Sequence, residues 1–386
     1  MDSERYLELC LRLGRHIDGL VDAYYGPAEI SERVDAEEVR DPAALVQDAA
    51  SLLEEVDDRW LHAQLVGLET VARKLAGEEI SYEDEVERCY GVRPEWVPEE
   101  SFAAAHRELE ELLPGDGPVA ERYQAWREDD QLEGDQLATV YNKLLDDFRS
   151  RTKDLFDLPD GESVEVDYVT DEPWSAFNYY QGGLRSRIAV NTDSPLTPDF
   201  VLELAAHEAY PGHHTEHAWK EQVHVREAGR LEESALMVGT PSSLVSEGIA
   251  GLAAEILLGD EEERILATHL DGTAIGYDPD LSRAVKEASR PIGYVNGNVA
   301  LLVHTRGASE AEALEYSMKW ALRSRKRAEQ SVRFVTDPVW RSYVSTYTAG
   351  YDLCREFVGG DPSRFKRLLT EQLTPAELAR YSEKGS

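Results

Sequence analysis

His207-Glu208-Ala209-Tyr210-Pro211-Gly212-His213-His214 packs three imidazoles, a carboxylate and a helix-breaking Pro-Gly pair into eight residues. Five of the ten histidines fall between His207 and His224, so the clustering is not uniform scatter. A zinc-binding helix of the H-E-x-x-H type sets two histidines one turn apart, with a glutamate beside the first. Here the order His-Glu is kept, but Pro211 stands where the second histidine would be. On an unbroken helix, residues six or seven positions beyond His207 lie roughly 9–10.5 Å along the axis. Side chains that far apart do not easily share one ion at about 2.0–2.1 Å each.

Pro211 relieves that conflict. Inside a helix a proline removes the hydrogen bond to residue i−4 and clashes with that residue's carbonyl; here the residue is His207 itself. A kink or bulge within the motif is the expectation, and such features recur at functional sites. A bulge that absorbs two residues gives His213 the place of the second histidine, and one that absorbs three gives it to His214. The competing reading is a histidine-rich helix end that holds no metal.

The rest of the 386-residue chain is strongly acidic, with a formal charge of −36 and a pI near 4.6. Only nine of its 40 basic residues are lysine. High Asp and Glu with little lysine, spread along the whole chain, resembles proteins adapted to concentrated salt. Such a surface repels phosphate backbones and anionic lipid, so neither a nucleic-acid nor a membrane partner is expected. Cys10, Cys89 and Cys354 have no paired spacing, which argues against a disulfide framework or a cysteine zinc site. The start, Met1-Asp2-Ser3-Glu4-Arg5, carries no apolar run, and no later stretch approaches 18 apolar residues in a row. A cytoplasmic protein is the expectation.

Periodicity gives the fold class. Tyr6, Leu9, Cys10, Leu13, Ile17, Leu20 and Val21 repeat at helical spacing, and Asp41-Pro42 and Trp60–Leu75 mark further helices. A long helix is expected from Val119 to Phe156. Val164–Val169, Phe177–Tyr180 and Arg187–Asn191 read as strands, the last two joined across Gly182-Gly183. Thr197 and Pro198 make a good N-cap and first position for the motif helix. The expected fold is mostly α, with one small antiparallel sheet beside that helix. Residues 1–160 form an N-terminal helical region over the cleft and residues 161–386 the catalytic region, in one compact unit.

The motif as written, H-E-x-x-P-G-H-H, resembles the signature of a domain-of-unknown-function family of gluzincin-like zinc metallopeptidases. Many gluzincins close their motif with Gly-His, and Gly212-His213 matches that ending; the resemblance favours His213 and keeps His214 as the alternative. It implies a third ligand, a glutamate on a later helix. Thr240-Pro241 opens such a helix, in which Ser246-Glu247-Gly248-Ile249-Ala250-Gly251 resembles the family's E-G-W-A-x-Y-x-E segment with aliphatic residues in the aromatic positions. Leu244, Val245, Ile249 and Ala250 surround Glu247, a costly setting for an unpaired carboxylate that a metal, or an arginine, would relieve. Gly248 and Gly251 would let another helix backbone come close.

In that frame Zn2+ is held by His207, His213 and Glu247, and Glu208 is the general base that takes a proton from the attacking water. Ala189, Val190 and Asn191 resemble an edge strand that pairs with a bound peptide. Tyr347, in a segment resembling the family's Y-x-x-G, is a candidate donor to the oxyanion, although a core stripe with Tyr343 and Tyr351 explains it nearly as well. His304 resembles a further family position. The implied activity is a zinc metallopeptidase of carboxypeptidase or oligopeptidase type acting on short or unfolded peptides. A zinc hydrolase of other amides or esters, or a non-catalytic metal-binding protein, are the alternatives.

Overall fold

Side-chain caps set the helix starts. Asp41 accepts from the Ala43 amide ahead of Pro42–Glu55, Asp58 from Leu61 ahead of Arg59–Leu75, and Ser81 from Asp84 ahead of Tyr82–Tyr90. A computed structural model describes residues 2–172, 174–193 and 195–382. Met1 and residues 383–386, included in the two regions above, lie outside the described residues. The chain is mostly α-helical with a small sheet.

Three apolar cores hold it together. Tyr6, Leu13, Leu65 and Leu68 pack with Ala235 and Met237. Tyr82, Val86 and Phe102 pack with Leu244, Ile249 and Phe357. Leu137, Tyr141 and Phe148 pack with Val190, Leu202 and Ala253. Each core mixes residues from before and after position 160, so the two regions share their interiors. The helix Pro241–Leu258 serves two of the cores. The span Pro241–His269 is long and apolar enough by composition to cross a membrane, yet 61% of its most apolar window is buried inside the fold.

Two helical expectations are corrected. The first helix ends at Gly14, and Val21–Tyr24 is instead a strand, β1, antiparallel to a later strand at Ala235–Met237. The long helix is split into Val119–Glu128 and Gly134–Phe156. Between them the Leu132 amide donates to the Leu196 carbonyl at 2.8 Å and the Leu196 amide donates back at 3.0 Å. No helical residue can make that exchange, and the partner is too distant in sequence for periodicity to reveal it.

The main sheet is also corrected in its pairing. Strands β2 (Ser163–Val169), β3 (Ala176–Gly182) and β4 (Arg185–Asn191) lie in the order β2-β4-β3. β3 and β4 form the expected antiparallel hairpin, but β2 runs parallel to β4 on its other side, so the sheet is mixed. Alternation fixes which face a strand shows; it does not fix the direction of a neighbour. β4 is therefore the central strand. Ala189 faces Asp167 on one side and Phe177 on the other, and Val190 faces Tyr168 and Ala176.

Gly248 meets a second backbone as expected, whereas Gly251 does not. A Cβ on Gly248 would lie 2.3 Å from the Gly350 carbonyl oxygen and 2.6 Å from Cys354 Sγ. One on Gly251 would meet only the Tyr351 side chain, at 3.6 Å. The two alanine variants should thus move stability in opposite directions. Gly248→Ala should lower it by about 1–3 kcal/mol through overpacking, and Gly251→Ala should raise it by roughly 0.5–1 kcal/mol through helix propensity. Denaturant unfolding of both proteins checks the signs.

Candidate metal centre

The helix Pro198–Glu208 opens on Thr197, whose hydroxyl accepts from the Phe200 amide at 3.4 Å, with Pro198 in its first turn. It stops at Glu208. Ala209 leaves helical geometry at φ −121° and ψ −86°, the Tyr210–Pro211 peptide is cis, and a new helix, His213–Lys220, follows Gly212. The expected kink within one helix is a full break between two. The Gly212 amide donates to the Ala206 carbonyl at 2.9 Å, and a Cβ on Gly212 would lie 2.0 Å from the His207 carbonyl oxygen. Only glycine fits so close to the end of the preceding helix. The fold-back sets the His213 ring edge-on to His207, with centroids 4.7 Å apart.

Glu247 comes to the same point from Pro241–Leu258. Its Oε2 lies 3.5 Å from His207 Nε2 and its Oε1 4.0 Å from His213 Nε2, and one donor atom from each of the three residues lies within 4.8 Å of the others. Two ligands each about 2.1 Å from a tetrahedral ion sit about 3.4 Å apart, so the spacing suits a small cation. Glu247 Oε1 accepts from the Tyr343 hydroxyl at 2.6 Å, but Oε2 is buried with no hydrogen-bond partner among the described residues. A buried carboxylate oxygen left in that state is costly unless a cation meets it.

The second histidine is oriented by a chain of donors. Ser246 Oγ donates to Glu216 Oε2 at 2.6 Å, so its contact with His213 Nδ1 at 3.1 Å is one in which the ring donates. That assigns the proton to Nδ1 and leaves the Nε2 lone pair facing Glu247, the arrangement that outer hydrogen bonds impose on metal-binding histidines. Lys220 Nζ completes the chain by donating to Glu216 Oε1 at 2.6 Å. Glu216 and His217 form a second grouping with His213, and His217 Nδ1 has no hydrogen-bond partner among the described residues. The Lys220 ammonium already neutralises Glu216, so a further cation there would meet repulsion.

Electrostatics agree with the geometry. Burial, then Glu247 and Asp22, push Glu208 up to about 8. Burial, with Asp22 and Glu216, pushes Glu247 up to about 7 despite the Tyr343 hydrogen bond. Burial, then His213, holds His207 well below its ordinary value, and burial, then His217, brings His213 to about 4. Neutral imidazoles beside carboxylates short of positive charge are the donor set of a metal site.

Glu208 is buried at the end of its helix, and its backbone carbonyl accepts from Asn178 Nδ2 at 2.6 Å. His207, Glu208 and Tyr347 line one cleft of about 1470 Å³, together with Ser175 and Ala176 at the start of β3. Tyr347 is 50% exposed and stacks edge-on against Tyr343. Burial, then Glu247 and Glu208, hold its hydroxyl well above the ordinary tyrosine range, so it stays a donor.

Three of the candidates lie apart from this cluster. His214 is fully buried, with Nδ1 against Ser186 Oγ and Nε2 against Glu162 Oε2, both at 2.9 Å. His304 Nε2 meets the Val335 carbonyl at 2.7 Å and its ring stacks on Tyr82. Ala189, Val190 and Asn191 have backbone partners on both sides and offer no free edge. β3, with β4 on one side only, is the edge strand nearest the cluster.

Tyr343, Ser246, Glu216 and Asp22 were not singled out from sequence. One signal for Tyr343 was present. Tyr343 and Tyr351 are eight residues apart, as are Glu247 and Glu255, and the hydroxyls meet the carboxylates in that order at 2.6 and 2.7 Å. Tyr347, midway between the two tyrosines, lines the cleft together with Gly251. Asp22 stands at a bulge in β1, between Val21 and Ala23, with its side chain exposed. Bulges re-aim side chains, and nothing in the alternation of a four-residue strand announces one.

No family model matches the chain, and no curated protein matches it. Among solved structures, a protein of Colwellia psychrerythraea named as a lipoprotein shares the fold at 17% identity and a TM-score of 0.54. That match covers 92% of this chain but 65% of the other, so this chain spans about two thirds of that protein's length. An M32 carboxypeptidase from Deinococcus radiodurans R1 aligns at 13% identity and a TM-score of 0.38, covering 99% of this chain and 94% of the other, too distant to carry an argument.

The His214 surroundings generate a pH prediction. Burial pulls His214 below its ordinary 6.5. Although burial opposes it, hydrogen bonds from His214 and Tyr210, with Arg149, hold Glu162 down at about 2. Both groups bind more protons unfolded than folded in acid. The His214 contribution is complete above about 6.5 and lost below it; that of Glu162 is complete above about 4.5 and lost as the pH falls towards 2. Thermal melts should therefore show stability falling from pH 7 to 4. His214→Gln should lower Tm at pH 7 and flatten the difference from wild type between pH 7 and 5.

Proposed function

We propose that the chain is a zinc-dependent metallopeptidase acting on short or unfolded peptides, with His207, His213 and Glu247 as ligands and Glu208 as general base. The observation that carries this reading is the partnerless Glu247 Oε2, buried 3.5 Å from His207 Nε2. Two nitrogens and a carboxylate oxygen are the ligand types of catalytic zinc sites. A zinc ion held there supplies Lewis acidity and lowers the pKa of water.

The protein's own groups do the rest. Glu208 is adjacent to a ligand and outside the ligand set, so its carboxylate is free to accept the proton of the attacking water and hand it to the leaving amine. The environment that raises its affinity for a proton makes it a stronger base for the first half of that task. The Tyr347 hydroxyl donates to the oxyanion from the cleft wall. The free edge of β3, in place of β4, pairs with the substrate backbone. His304 takes no part. The cleft admits an extended segment and excludes a folded domain, and the −36 charge suits a protein working in concentrated salt, away from nucleic acid and anionic membranes.

Glu208→Gln should keep its metal and lose about 10²–10⁴-fold in kcat. His207→Ala, His213→Ala and Glu247→Ala should each lose the metal, whereas His214→Ala should keep it. Metal analysis and the digestion of a peptide library in high salt read both outcomes. Full metal occupancy in Glu247→Ala would overturn the ligand set, and near-normal turnover in Glu208→Gln would overturn the mechanism.

A further inference from the structure

The cleft lined by His207, Glu208 and Tyr347 is also lined by Arg127, Arg290 and Arg323, in a chain where acidic residues outnumber basic ones by 76 to 40. Three of the six lysines and arginines that line the cleft have an acidic partner: Arg283 pairs with Glu263, Lys286 with Glu262 and Arg355 with Glu255. Arg127, Arg290 and Arg323 have no carboxylate within 4.0 Å among the described residues. Arg127 and Arg323 also share a small side recess with Arg327, so three guanidiniums gather there. Glu128 lines the recess too, but ion-pairs with none of them.

Arg323 is held in place by neutral groups. Its Nη1 donates to Asn296 Oδ1 at 2.7 Å and Ser331 Oγ at 2.9 Å, leaving Nε and Nη2 without partners among the described residues. That is the pair of parallel donors that grips a carboxylate in two-point fashion. The preceding residue, Leu322, is buried and takes a φ of 50°, a left-handed conformation that bulky side chains rarely adopt and that concentrates at ligand clamps. Arg127 comes from the opposite side, on Val119–Glu128, with its guanidinium over the Tyr123 ring at 5.8 Å. Burial, then Arg127, lower the proton affinity of Arg323, with Tyr123 acting the other way, and Glu128 partly offsets the same effect at Arg327.

We propose that Arg127 and Arg323, with Arg327 behind them, form a subsite for a carboxylate of the bound peptide. The subsite rests on the peptidase reading of the same cleft and would fix the direction in which substrate lies across it. Two sources supply that carboxylate, the peptide C-terminus and an acidic side chain.

The test is calorimetric titration of the Glu208→Gln protein, so that the peptide survives the measurement, with three ligands. These are N-acetyl tetra-alanine as the free acid, the same peptide as its C-terminal amide, and the amide with one alanine replaced by glutamate. The free acid or the glutamate peptide should bind roughly 10- to 100-fold more tightly than the plain amide, the range of a charge-assisted bidentate contact. Whichever of the two binds tightly identifies the source. Adding Arg127→Gln or, separately, Arg323→Gln should erase that preference and leave the plain amide unchanged. Arg127→Gln carries the test should Arg323→Gln disturb the fold through Asn296 and Ser331. Equal binding of all three peptides would overturn the subsite, as would arginine variants that weaken all three alike. Because binding is read without turnover, a carboxylate preference in a protein that hydrolyses no peptide would refute the peptidase reading and leave the subsite standing.

Discussion

A carboxylate buried in an apolar helix with half of its hydrogen-bonding capacity unmet is the constraint on which this structure turns. Glu247 is 7% exposed among leucine, valine, isoleucine and alanine, and Tyr343 satisfies only one of its oxygens. Burying an ionised carboxylate without compensation costs several kcal/mol. The neighbouring elements are arranged so that compensation is available at one point and nowhere else. Gly248 lets the Thr346–Gly350 turn lie against the helix, which brings Tyr343 and Tyr347 to the same face. Ser246, one residue before Glu247, reaches the other way and orients His213.

The two histidines reach Glu247 by a route that a single helix forbids. A bulged helix would still tie His213 to the axial rise of His207, and a one-residue change in the bulge would exchange His213 for His214. Breaking the chain into two helices removes that coupling. His207 then belongs to one rigid element and His213 to another, and Gly212 sets their junction by its close approach to the Ala206 and His207 carbonyls. His214, on the opposite side of the second helix, is tied down by Ser186 and Glu162. The adjacent histidines thus do different work, one facing the cluster and the other anchoring the helix to the sheet.

How much of this was legible follows the range of the interactions. Caps act within three residues, so Asp41 and Thr197 with Pro198 can be read directly, and Pro241 in the first turn marks the start of the Glu247 helix although the Thr240 side chain does not cap it. The cost of burying Glu247 was legible too, because its four apolar neighbours are in sequence. What failed depends on distant partners. The direction of β2 beside β4, the break at Leu132 and the pairing of β1 are each set by a strand or residue far along the chain. The edge-strand role of Ala189–Asn191 failed with the direction of β2. His304 was chosen on a resemblance of letters, and its hydrogen bond to Val335 has no local sign. Tyr343 lay between these cases: its eight-residue spacing to Tyr351 matches that of the two glutamates, but only knowledge that the segments are neighbours gives the match meaning.

The distribution of charge along the cleft follows from the same constraint. Glu208, Glu247 and Asp22 act on one another's surroundings: Asp22 raises the proton affinity of both glutamates, and Glu247 raises that of Glu208. Left to themselves these groups would take up protons near neutrality and the site would lose the base that hydrolysis requires. In the proposed reading, a divalent cation between His207, His213 and Glu247 would answer this, since its charge would offset two carboxylates and let the remaining one stay ionised. Arg127 and Arg323, which line the same cleft as Glu208, carry the opposite charge. An acidic protein in concentrated salt screens its outer surface within a few ångströms, whereas charges set into a walled cleft are screened much less.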